Sequence, residues 1–147
     1  MDEKTKKLIE KARTKDTLEQ EFNLTLEDRV KRSTDLKPHT IIPNSHFAAV
    51  SDECFRLYRD GYYYGAIPLS QSVVEALIRF LYKTHIDTKR NGEFEESLQK
   101  LAKRGFITQE LSSLFKNIWK KRNDYHHLNT GVEQDRLKLE SLAKSKL

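Results

Sequence analysis

Apolar residues recur at helical spacing through most of the chain. Phe47, Val50, Cys54, Leu57 and Tyr58 follow one another at steps of mainly three and four, which places them on one face of a helix. Ser45 is suited to cap that helix and Gly61 to end it. From Tyr62 to about His85 the pattern is apolar nearly all round (Ala66, Ile67, Leu69, Val73, Val74, Ala76, Leu77, Phe80, Leu81), as expected of a central, buried helix. Pro68 either kinks this helix or begins its regular part. A polar loop over 86–93, with Asn91-Gly92, leads to a short helix with Phe94, Leu98 and Leu101 inward and Gly105 at its end. Thr108 can cap the next helix, expected over 108–128, with Leu111, Leu114, Phe115, Ile118 and Trp119 as its buried stripe. Thr130 and Glu133 fit a T-x-x-E capping box for a last helix carrying Val132, Leu137, Leu139 and Leu142.

The first 22 residues differ. Lys and Glu alternate there, and Leu8, Ile9, Ala12, Leu18 and Phe22 form only a thin apolar series, which predicts a charged, peripheral helix. Residues 33–45 carry two prolines and several turn formers and are expected to be a linker. The chain therefore divides into a charged N-terminal helix and linker, 1–45, and a helical bundle, 46–147. The fold class is all-α: an up-and-down bundle of four core helices plus the N-terminal helix.

Composition narrows the function classes. Of the 147 residues, 33% are charged and only 5 are Gly and 3 Pro, which suits helices. The single Cys54 excludes a disulfide within the chain. The longest apolar stretch, AIPLSQSVVEALIRFLY, is interrupted by Pro68, Gln71, Glu75 and Arg79, so no membrane span is expected. The opening residues lack an apolar signal region, so a cytoplasmic location is expected. No Cys/His or acidic cluster has metal-ligand spacing, and the adjacent His126 and His127 diverge and chelate poorly, so neither a metal nor another cofactor is expected. The net charge is +5, and the excess is concentrated in residues 86–128, with nine Lys/Arg against six Asp/Glu. A modest local positive field suits a polyanion such as RNA.

That segment holds the residues that carry candidate chemistry. If the helix over 108–128 is continuous, Arg122 lies near the centre of its apolar stripe with His126 and Tyr125 beside it, and His127 roughly 140° away. A guanidinium there needs a partner. Glu75, in the middle of the most apolar helix, has two available: Arg79 one turn on, and Arg122 across the bundle.

The run Arg122-Asn123-Asp124-Tyr125-His126-His127 resembles the signature of the HEPN superfamily: Arg, often followed by a polar residue, and His after four to six intervening positions. The stretch YYYGAIPLSQSVVEALIRFLYK, a buried helix with an acid in its middle, also resembles the family, and the likeness covers about residues 46–142. It implies a helical bundle that dimerises so that two Arg/His motifs share one cleft. Many members are metal-independent endoribonucleases, often toxins or anti-phage defence effectors. Others are non-catalytic modules that bind nucleotide or RNA or assemble with a partner protein. The resemblance assigns Arg122 and His127 as catalytic residues, with Asn123 in the polar place after the Arg and Glu75, His126 and Tyr125 in support. Family spacing nominates His127, helix geometry nominates His126, and the spacing is given precedence. Lys116, Lys120 and Lys121 are candidate contacts to RNA phosphates. The partners implied are an RNA substrate, a second copy of the chain, and an antitoxin or defence-system protein. Some family toxins carry a modified Tyr two residues after the motif His; here Asn129 stands there, which argues against that form of control.

The chemistry suits the residue types. RNA is cleaved without a metal when its 2′-OH attacks the adjacent phosphorus. His can move protons near neutral pH, and the Arg fork can stabilise charge on the phosphorane. A third reading is a plain interaction protein in which Arg122 and Glu75 only set helix packing.

Overall fold

The structure, a computed structural model, describes residues 1–36, 46–87 and 92–147. Ser45, the linker prolines Pro38 and Pro43, and Asn91 lie outside the described residues. All regular structure among the described residues is helical. No helix among them is long and apolar enough to cross a membrane. The chain forms two compact units, Met1–Pro38 and His39–Leu147.

The first unit is one long helix, α1 (Glu3–Asp35). The Asp2 carboxylate caps it by accepting from the Thr5 N–H at 2.7 Å. The helix continues well past Phe22 through Ser33–Asp35, residues whose turn formers predict a linker. The residues between contain no Gly or Pro, and Leu26 and Val30 keep the helical spacing. No residue of α1 is buried.

The second unit contains α2 (His46–Arg59), α3 (Tyr63–His85), α4 (Phe94–Lys103), α5 (Gln109–Trp119), α6 (Arg122–His127), a 3-10 segment (Thr130–Lys138) and α7 (Leu139–Lys144). The all-α expectation holds, and α3 is the central element, packed against α2, α4, α5, α6 and α7. Two helix ends follow the expected chemistry. Gly61 (φ 85°) and Gly105 (φ 76°) take left-handed conformations, and the next residues donate back to Leu57 and Leu101 at 2.8 and 3.0 Å. The Thr108 hydroxyl caps α5 by accepting from the Leu111 N–H at 3.2 Å. Pro68 lies inside α3, which runs through it.

The core joins Val74, Ile78 and Tyr82 of α3 to Phe94, Leu98 and Leu101 of α4 and to Ile107, Phe115 and Ile118 at α5. Phe94 also stacks on Trp119, with ring centroids 4.1 Å apart.

Three expectations fail in the C-terminal third. The helix expected over 108–128 is broken: Lys120 is extended (φ −54°, ψ 136°) and Lys121 is left-handed (φ 62°, ψ 22°). Leu111 and Leu114 are exposed, and Ser112 is buried in their place. The Thr130–Glu133 capping box does not form. Asn129 precedes a 3-10 rather than an α segment, Glu133 pairs with Arg136 at 3.3 Å, and Leu137 is 98% exposed. A 3-10 helix has three residues per turn, so the 3.6-residue periodicity used to place Leu137 inward does not apply.

Candidate functional site

The break at Lys120–Lys121 sets up the site. A helix end leaves carbonyls without intrahelical partners, and here two distant side chains supply donors. The Gln71 amide of α3 donates to the carbonyls of Ile118 and Lys120 at 2.9 and 3.0 Å. The Lys146 ammonium donates to those of Asn117, Ile118 and Lys120 at 3.1, 2.8 and 3.1 Å. Both side chains are buried, and burial pushes the Lys146 amine down to about 8.

Beyond the break, Asp135 anchors α6. Its carboxylate accepts from the Lys121 ammonium at 2.8 Å and from the Tyr125 hydroxyl at 3.0 Å. The Lys121 bond is the main cause that holds the Asp135 carboxyl below its ordinary range. Burial, assisted by Asp135, pushes the Tyr125 phenol up. Tyr125 is almost fully enclosed, so its part is packing and anchoring. Lys121 is tied to Asp135 and is not a free contact for phosphate, whereas Lys116 and Lys120 are exposed.

With α6 redirected, Arg122 meets Glu75. Its Nη2 lies 3.3 Å from Glu75 Oε2, while Arg79 pairs with the other carboxylate oxygen. Both pairings foreseen for Glu75 therefore occur together. The Arg122 guanidinium also covers the Trp119 ring, 4.7 Å from its centroid, and donates to the Asn123 amide oxygen at 3.4 Å. Its Nε is enclosed and has no hydrogen-bond partner. The Arg122 side chain remains 30% exposed, so it is held in place without being sealed. One carboxylate serves two guanidiniums, which leaves positive charge at the mouth of the site.

The two imidazoles differ in burial. His126 is half-buried near Arg122, Glu75 and the Pro68 backbone, and its Nε2 is enclosed and unpartnered. Burial, and then the Arg122 charge, hold its pKa below the ordinary 6.5. His127 is exposed. α6 ends at Leu128, itself left-handed (φ 49°), and the helix end does not bury His127. Asn129 bonds back to Asp124 through its side chain at 3.3 Å.

The lowered His126 value has a consequence for stability. Below the ordinary imidazole pKa the unfolded chain binds a proton that the folded state resists, so stability falls as pH drops below about 6.5. Urea unfolding at pH 7.5 and 5.5 should show a smaller loss in His126→Gln than in the wild type.

Among the described residues, no group of three His, Cys, Asp or Glu is placed to hold a metal ion. No family model, curated protein or solved structure matches the chain. Reading the sequence linked Arg122 with Glu75 but missed Gln71, Asp135 and Lys146 as the groups that build the turn. Gln71 did leave a signal, as an amide inside an otherwise apolar helix one turn before Glu75. Lys146 left none, because a lysine in a charged segment looks solvated.

Proposed function

We propose that this chain is a metal-independent endoribonuclease of HEPN type, acting as a dimer and serving as a toxin or anti-phage defence effector. Arg122 binds the scissile phosphate and stabilises the charge that develops on it. An imidazole exchanges protons with the attacking 2′-OH and the leaving oxygen. The observation that carries this reading is Arg122 itself: it is oriented by Glu75, Trp119 and Asn123, yet 30% exposed, with one carboxylate shared between two guanidiniums.

His127 is assigned as the acid/base. A proton-transfer group must be within reach of substrate; His127 is exposed, while His126 Nε2 is covered by protein. A second protomer would place two such imidazoles around one RNA strand, so that one acts as base and the other as acid. Burial and the Arg122 charge disfavour a second positive charge on His126.

Incubation of mixed RNA with the purified protein in EDTA tests the assignment. His127→Ala should lose cleavage by roughly 100-fold or more, while His126→Ala retains most of it. Loss in His126→Ala with full activity in His127→Ala would overturn the choice of imidazole. A folded wild-type protein that leaves RNA intact would favour the non-catalytic alternative, a module that binds RNA or nucleotide through Arg122.

A further inference from the structure

The long helix α1 presents a largely open seam, although the Arg29 guanidinium lies over the Phe22 ring, 4.7 Å from its centroid. Thr5, Leu8, Ala12, Lys15, Glu19, Phe22, Leu26 and Arg29 follow one another at steps of three and four, the spacing of a coiled-coil core. Leu8 is 60% exposed, Phe22 46% and Leu26 41%, and Ile9, Leu18 and Val30 flank them, also exposed. A helix of 33 residues with an apolar seam of this kind gains most of its stability by packing that seam.

Charge identifies the occupant. Lys4 to Lys15 contain six basic residues and one acid, Glu10, while Asp16 to Asp28 contain five acids and no base. A parallel, in-register pair would set basic block on basic block and Lys15 on Lys15. An antiparallel pair centred on residue 17 sets the basic block of one copy against the mainly acidic stretch of the other. In that register three seam layers are complementary: Leu8 meets Leu26, the small Ala12 meets the large Phe22, and Lys15 meets Glu19, while the outermost layer sets Thr5 against Arg29. Each of these layers occurs twice by symmetry. Lys15 and Glu19 are thus matched in the antiparallel arrangement and opposed in the parallel one, a device that selects between them, and the third charged seam position, Arg29, meets Thr5 rather than a second Arg29.

We propose that α1 pairs with α1 of a second copy of this chain as an antiparallel coiled coil in this register. The proposal stands on α1 alone and does not depend on the ribonuclease reading.

Disulfide trapping in the full chain tests it, with the buried Cys54 replaced by Ala so that no other thiol is present. Leu8→Cys and Leu26→Cys proteins, mixed and oxidised, should form a linked dimer. Each alone should form little, because equivalent positions lie roughly 27 Å apart along the axis. A link in Leu8→Cys alone would mean a parallel pair, and no link in the mixture would mean that another surface covers α1; either overturns the proposal. Lys15→Glu should cut the yield of the mixed link about tenfold by placing Glu opposite Glu19, and adding Glu19→Lys should restore it. A yield unmoved by Lys15→Glu would also overturn the register. The link is expected whether or not the protein cleaves RNA.

Discussion

Arg122→Ala is expected to reduce RNA cleavage by roughly 100-fold or more, the scale on which loss of one charge-stabilising donor acts in a preorganised site. Its effect on stability should be small by comparison. The Arg122–Glu75 pair is partly open to solvent, so the free energy of unfolding should fall by about 1 kcal/mol or less. Arg122→Lys separates charge from geometry. It keeps the positive charge but loses the planar fork that can grip a phosphate while resting on Trp119. Activity between those of the wild type and the Ala variant is expected, measured as initial rates of RNA cleavage. Wild-type rates in Arg122→Ala would remove Arg122 from the chemistry.

Lys146→Ala is expected to cost about 2–4 kcal/mol of stability, because one buried and two partly buried carbonyls lose a charged donor and the buried side chain leaves a void. Thermal unfolding should fall by roughly 5–15 °C. The same substitution should reduce activity, since the carbonyl of Lys120 adjoins the turn that aims Arg122. Gln71→Leu should also destabilise the fold. The two side chains share the Ile118 and Lys120 carbonyls, so the double variant should depart from additivity by more than about 0.5 kcal/mol. Additive effects would mean that the two donors act on separate structure.

The contrast between these residues shows how far the sequence could be read. The helices α2, α3 and α4 follow from local pattern, because apolar spacing and the end signals at Gly61, Gly105 and Thr108 lie within a few residues of what they control. Glu75 and Arg122 were legible as a pair because a charge on an apolar face needs a partner. The break at Lys120–Lys121 was not legible. A left-handed lysine has no compositional mark, and the donors that support it come from α3 and from Lys146, far away in sequence. Leu111 and Leu114, which lie before the break and read as part of the buried stripe of α5, are exposed. Extrapolating one ideal helix past Trp119 carried the stripe through a turn that is not helical. It did place His126 on the Arg122 side, a relation that α6 preserves because both residues lie within it, beyond the break.

The central claim is that the RNA supplies its own nucleophile while Arg122 and an imidazole do the rest. The most direct measurement is the chemistry of the new ends, taken on a defined RNA cleaved by the wild-type protein in EDTA and on the same strand with a 2′-deoxy nucleotide at the cleaved position. The account predicts 2′,3′-cyclic phosphate and 5′-hydroxyl ends and no cleavage at the deoxy position. Cleavage that persists there, or products bearing 5′-phosphates, would contradict it.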